Sequence, residues 1–371
     1  RDTMPVPFNS LSAQLSDLEP DLRAAFERVL GRGWFLAGPE VAAFEAEFAA
    51  WLGLPHARAM NSGTDALSLG LRALGLAPGD EVVLPAHTAP PCYHAVLAAG
   101  GVPVFADADP ATGLLDPGAA AAAVGPRTRV VMAVHLYGLA CDLAPLLALC
   151  EERSLALLED CAQAHGATYQ GRKVGTFGAM AAFSFYPTKN LGALGDAGAA
   201  ACADPDRVEQ LAMLRSYGER TRYSCEVPGA NSRMDELQAA FLRVRLSRLE
   251  TDTAARRELA AAYAAGLAGL PLALPAAPAG REHVFHLYVV QTPRRDALAA
   301  FLKERGIGTA VHYPVPGHQQ PLFTSGRAPY RAGALPHSER LAREALSLPF
   351  YPGMGKAAVD EVCAAVRAFF A

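Results

Sequence analysis

Lys189 lies in Ser184-Phe185-Tyr186-Pro187-Thr188-Lys189-Asn190-Leu191-Gly192, directly after the strand-like Ala181-Ala182-Phe183. It is one of four lysines in 371 residues, and Lys173, Lys303 and Lys356 sit in glycine- or charge-flanked segments that read as surface. An ammonium among aromatic and small residues at the end of a β-run is poorly solvated. Desolvation favours the neutral amine that Schiff-base chemistry needs. Alone, such a lysine reads first as a packed stem with its head in water; its neighbours decide otherwise.

Asp160 follows the apolar run Leu155-Ala156-Leu157-Leu158 and Glu159. The run reads as a buried parallel strand with a carboxylate at its carboxyl end, the edge at which open α/β sheets bind ligands. A carboxylate there can keep a pyridinium nitrogen protonated, and the Gln163 amide can reach a phenolic oxygen; an N-cap aspartate is the plain alternative. Asn61-Ser62-Gly63-Thr64-Asp65 precedes Leu67, Leu69, Leu71 and Leu74. Gly63 and Thr64 are therefore expected at a helix N-terminus, where free N–H groups and the dipole bind phosphate; a cap without ligand is the alternative. Phosphate cradle, ring-nitrogen partner and Schiff-base lysine together read as a pyridoxal phosphate (PLP) site.

Elements must bring these residues together. Residues 19–51 read as two helices split by Gly31-Arg32-Gly33-Trp34 and the residues up to Pro39. Apolar runs at 81–85, 102–106, 129–134 and 155–160 alternate with helical stretches, which argues a mostly parallel sheet covered by helices. Runs 179–185 and 198–202 have no helix between them and suggest a hairpin-like edge carrying Lys189. A long helix is expected from 236 through Leu237, Phe241, Val244 and Leu249 past Arg256. After the Pro/Ala/Gly-rich connection 270–280, a compact α+β unit is expected: strands 284–291 and 309–313, helices 294–305, 338–346 and 356–370. The expected division is an N-terminal arm and large domain over 1–250 and a small C-terminal domain over 251–371.

A net charge of −4 gives no nucleic-acid surface. Seven scattered cysteines without metal spacing imply reduced thiols, no metal site and a cytoplasmic protein. The charge-free stretches 82–106 and 259–280 carry too many prolines and glycines to span a membrane, and no signal peptide is expected.

The segments NSGTDAL, LEDCAQAHGA, FSFYPTKNLGALGDAG and ANSRMDELQAAFLRVRLSRLE resemble the DegT/StrS-type sugar aminotransferases, nearly end to end. The resemblance implies an α/β aspartate-aminotransferase-like fold, its large domain holding a mostly parallel seven-stranded sheet. It implies Lys189 as Schiff-base lysine, Asp160 as pyridinium partner, Gln163 as O3′ partner, and Gly63, Thr64 and Ser184 as phosphate ligands. Asn231 would reach the phosphate of the other subunit's cofactor, which implies a homodimer with shared sites. One departure stands out: the aromatic ring the family often stacks on PLP is replaced in Thr88-Ala89-Pro90-Pro91, with His87 or Tyr93 as conceivable substitutes.

His312-Tyr313-Pro314, Asn231-Ser232-Arg233-Met234-Asp235 and Ser216-Tyr217-Gly218-Glu219-Arg220 resemble enzymes that aminate C3 of a nucleotide-linked 3-keto-6-deoxyhexose. Tyr186, Tyr223, His312 and Tyr313 are candidate sugar contacts, and Arg222 and Arg233 candidate phosphate partners. The expected reaction takes an amino group from L-glutamate to a dTDP-linked 3-keto sugar, giving a 3-amino-3,6-dideoxy sugar nucleotide. Amination of a 4-keto sugar or cyclitol ketone is the alternative. Sugar dehydration is less favoured, since eliminating relatives carry His at the lysine position; so is a non-catalytic PLP-binding regulator, since no DNA-binding module is evident.

Overall fold

The computed structural model describes residues 5–275 and 278–371; residues 1–4, and Ala276 and Ala277 of the 270–280 connection, lie outside the described residues. Seven strands form the central sheet: β1 (His56–Met60), β2 (Glu81–Pro85), β3 (Val102–Ala106), β4 (Thr128–Val134), β5 (Ala156–Asp160), β6 (Met180–Ser184) and β7 (Gly198–Cys202), in the order β1-β7-β6-β5-β4-β2-β3. The two-residue segment Arg331–Ala332 pairs parallel to β3 and adds an eighth strand. Strands β2 to β6 run parallel, and their near-continuous apolar sequences follow from helices on both faces. Parallel register aligns Val134 with Asp160 and Asp160 with Ala182, so the carboxyl ends of β4, β5 and β6 share one rim.

Strands β6 and β7 pair antiparallel as expected, but not at the edge. Strand β1 pairs outside β7 and takes that place. Its sequence His-Ala-Arg-Ala-Met has little β-branched or aromatic content, so it carries a weak strand signal. Helices Glu19–Arg32 and Pro39–Leu52 form as read. The long helix from 236 is instead two, Glu236–Leu246 and Leu249–Leu267. At the break, Ser247 Oγ donates to the Val244 carbonyl (2.8 Å), a side-chain bond that competes with the helix ladder.

A second core gathers Tyr263, Tyr288, Leu298, Leu346, Val359 and Val362 around the antiparallel pair β8 (Tyr288–Gln291) and β9 (Ala345–Leu348). Strand β8 is shorter than expected, because Val284 N and His286 N donate to the carbonyls of Gly138 and Tyr137 instead of a sheet partner. Residues 309–313 form no strand; only Ala310 pairs, with Ser347, before Pro314 and Pro316 remove donors. The helix read at 338–346 is Pro336–Glu344, and Leu346 belongs to β9. Helices Arg295–Glu304 and Lys356–Phe370 form as read. Among the described residues no helix is long and apolar enough to cross a membrane.

Candidate functional site

A cavity of about 280 Å³ opens on the rim where β4, β5 and β6 end, lined by Gly63, Thr64, Asp160, Gln163, Ser184, Tyr186, Lys189 and Tyr313 among others. Lys189 sits in a turn closed by its own N–H to the Tyr186 carbonyl (2.8 Å). Burial pushes its amine below the usual lysine range, while the charge of Asp160 opposes the shift. Asp160, almost fully buried, accepts the Ala162 N–H at Oδ1 (3.0 Å) and the Cys92 thiol at Oδ2 (3.1 Å). Burial raises the Cys92 thiol well above its ordinary value, and the Asp160 charge adds to it. The thiol is thus a protonated donor to the carboxylate.

Ser62 caps the helix Gly63–Ala73 by accepting Asp65 N (3.1 Å). That leaves the N–H groups of Gly63 and Thr64 facing the cavity. Ser184 closes the cradle: a Cβ built on Gly63 would lie 2.5 Å from Ser184 Cβ. Gly63→Ala is expected to push these walls apart and weaken PLP binding about tenfold or more, read by equilibrium dialysis of the cofactor. Unchanged affinity would remove the phosphate from this cradle.

Gln163 is clamped by its own contacts. Its Oε1 accepts Tyr137 N (2.6 Å) and its Nε2 donates to Tyr313 Oη (3.1 Å), leaving one amide hydrogen for a ligand. Because that hydroxyl accepts from Gln163, its own proton is free to donate. Burial pushes the Tyr313 hydroxyl well above its ordinary value, so it stays protonated.

Five expected site residues do not line this cavity. His312 turns its Nδ1 to Ser347 Oγ (2.8 Å) and stacks on Phe8. Tyr313 is the one of the two that lines the cavity, held there by the Gln163 amide. Asn231 is exposed and accepts Arg233 Nε (3.0 Å); Arg233 lies over Tyr217, and Arg222 over Tyr223, which is 81% exposed. These four sit on or beside the exposed hairpin 219–225, away from the cavity of their own chain. Neither proposed substitute for the stacking ring reaches the cavity. His87 Nε2 bonds Tyr137 Oη (2.8 Å), and Tyr93 packs against Phe105 and Phe323. Lys173 is less superficial than expected, lying 4.2 Å from the Trp51 ring centroid.

Cys92 and His135 line the cavity without having been singled out from sequence. His135 follows β4 on the same rim as Asp160, and that position was its available signal. His135, Glu159 and Cys161 lie close enough to share a metal. The lone pairs of His135 and Glu159 are already used, however. His135 Nδ1 accepts Cys141 N, so its Nε2 donates to Glu159 (3.1 Å), which also accepts from Gly175, Phe177 and Gly178. This buried carboxylate fixes the loop leading into β6.

The donors suit PLP: N–H and hydroxyl groups for its phosphate, Asp160 for its ring nitrogen, Gln163 for its phenolic oxygen and Lys189 for its aldehyde. Fold and donor set define a PLP-dependent aminotransferase. The chain belongs to the DegT/DnrJ/EryC1/StrS aminotransferase family, whose model matches residues 16–367. It is 47% identical over 367 residues to dTDP-3-amino-3,4,6-trideoxy-alpha-D-glucose transaminase of Streptomyces venezuelae, covering 99% of this chain and 96% of that protein. The crystal structure of S. venezuelae DesV superposes with TM-score 0.95 at 47% identity, over 98% of each chain. NtdA of Bacillus subtilis, solved with bound cofactor PMP, superposes with TM-score 0.90 at 31% identity, covering 99% of this chain and 86% of that one.

Proposed function

We propose that the chain transfers the amino group of L-glutamate to C3 of a dTDP-linked 3-keto-6-deoxyhexose, forming a 3-amino-3,6-dideoxy sugar nucleotide. The observation that carries this reading is the buried Lys189 amine, lowered below the usual lysine range, in one cavity with Asp160. The 47% identity to a transaminase of a dTDP-linked 3-amino sugar supports the substrate class. When bound, PLP supplies an aldehyde that condenses with amines and a protonated ring that accepts an electron pair.

The chain's residues supply the rest. Gly63, Thr64 and Ser184 hold the phosphate, Asp160 keeps the ring nitrogen protonated, and Gln163 binds the phenolic oxygen. Lys189 Nζ takes the proton from Cα of the amino donor, and in the second half-reaction it returns a proton to the sugar carbon that receives the amine. Tyr186 and Tyr313 hydrogen-bond the sugar hydroxyls.

Catalysis is proposed to need a homodimer. Asn231, Arg222 and Tyr223 lie exposed and Arg233 half-buried outside their own cavity, as groups serving a second copy would be. Trp34, Phe35 and Leu36 add an exposed apolar patch. His312 keeps only an indirect part, through Ser347 and the placing of Tyr313. The division at 250/251 and a cytoplasmic location, with neither nucleic acid nor membrane as partner, complete the proposal.

The test supplies paired 3-keto and 4-keto dTDP-sugars with L-glutamate and follows 2-oxoglutarate and the aminated product. Faster amination of the 3-keto compound is expected. Equal rates, or activity only on the 4-keto sugar, would sink the C3 assignment, and dehydration without amine transfer would sink transamination.

A further inference from the structure

Residues Val284, Phe285 and His286 form a short strap against Asn190, the residue after Lys189, held from several sides. Val284 N donates to Gly138 O (3.0 Å) and His286 N to Tyr137 O (2.9 Å). Buried Arg256 donates to the carbonyls of Phe285 (3.1 Å) and His286 (3.4 Å). Contact is close enough to require Gly138, with φ of +100° and a built Cβ 2.9 Å from Val284 Cγ2. The strap also grips the residue after Lys189. Asn190, buried, donates Nδ2 to the Val284 carbonyl (3.1 Å). That bond orients the amide, so Oδ1 faces His286 Nδ1 (3.2 Å) and this ring nitrogen carries the proton.

We propose that Asn190 and His286 are a positioning pair for Lys189: the strap, anchored to the Tyr137-Gly138 loop and to Arg256, holds the lysine turn through both polar ends of the Asn190 amide. The pair touches no reacting atom and acts through Lys189, so the inference rests on the role assigned to that lysine above. A buried amide losing either partner is left unsatisfied, and the turn then gains freedom where the amine must approach within bonding distance. Misplacement of about 1 Å at a reacting group costs about a hundredfold in rate.

The groups facing the amine come from several elements. Asp160 ends β5, Cys92 lies in helix Pro90–Ala98, His165 follows β5, His286 belongs to the strap and His312 to the segment before Pro314. Burial pushes His165 down to about 3 and His312 to about 4, and carries His286 well below its ordinary value. All three are neutral near pH 7. A shift in the Lys189 titration on altering His286 therefore reports position, not a lost charge.

The experiment compares His286→Phe, Asn190→Ala and His286→Asn holoenzymes with wild type and Lys189→Ala. Two readouts are taken: the glutamate half-reaction, and the pH midpoint of the visible absorption of the lysine-bound cofactor. His286→Phe and Asn190→Ala are expected to lower kcat about tenfold to a hundredfold with KM for glutamate unchanged, and to move the midpoint. His286→Asn, which keeps a donor toward Oδ1, is expected to restore both. Wild-type kcat and midpoint in folded His286→Phe would overturn the proposal. So would a loss of kcat that only follows the folded fraction, measured by thermal unfolding, with the midpoint unmoved. If Lys189→Ala itself keeps turnover, the role of Lys189 fails and the pair with it. If Lys189→Ala is inactive while the strap variants behave as wild type, only the positioning role fails.

Discussion

Lys189→Ala is expected to fold normally, to lose the visible absorption of the lysine-bound cofactor, and to lose turnover by about 10³-fold or more. The expectation follows from the energetics of the turn. In the wild type, burial works against the ammonium form and lowers the amine below the usual lysine range, toward the free base that the chemistry needs. None of the other three lysines lines the cavity: Lys173 is engaged with the Trp51 carbonyl (2.6 Å), Lys356 pairs with Asp360, and Lys303 is exposed on the helix Arg295–Glu304. Truncation removes an amine whose charged form burial penalises, so the unfolding temperature should stay close to that of the wild type. That separates loss of chemistry from loss of fold. The glutamate half-reaction, followed in a single turnover with stoichiometric cofactor, is the decisive measurement. Turnover within tenfold of wild type would end the assignment of Lys189.

Part of this site was legible because it is local in the chain. Asp160 ends a strand, Gly63 opens a helix and Lys189 sits in the turn after a strand, so each is announced by its immediate neighbours. What the sequence left dark depends on contacts between distant segments. Cys92 bonds Asp160 across 68 positions, and His286 bonds Asn190 across 96. The 309–313 run has strand-like composition, yet a strand exists only where a partner lies alongside, and here only Ser347 does. The pair His312-Tyr313 shows the same limit in a smaller space. Both residues suit a sugar site by type, but which one enters it is decided by distant partners, Gln163 for Tyr313 and Ser347 for His312. Asn231, Arg222, Tyr223 and Arg233 are proposed to act on a second copy, and a contact between chains leaves no mark in the local pattern of one.

Asp160→Asn is expected to lower turnover by about 10²- to 10³-fold while leaving PLP bound. The substitution keeps size and shape in a buried position, so the fold has no reason to give way. It changes three things at once. The ring nitrogen loses the negative partner that keeps it protonated, so the electron pair released at Cα has a poorer acceptor. The neutral amide also has donors of its own, and it meets Cys92 on one side and the Ala162 N–H on the other, both of which donate to the carboxylate in the wild type. One of these contacts is then lost or reversed. Finally, Asp160 is the first of the charges that hold the Lys189 amine up against burial. Removing a negative charge beside an amine destabilises its protonated form, so the amine must fall further below the usual lysine range. The phosphate contacts at Gly63, Thr64 and Ser184 do not involve Asp160, which is why binding should survive. Measured together, retained cofactor, a shifted visible spectrum and a downward move of its pH midpoint would place Asp160 at the ring nitrogen. Near-wild-type turnover with an unmoved midpoint would place that nitrogen's partner elsewhere on the rim.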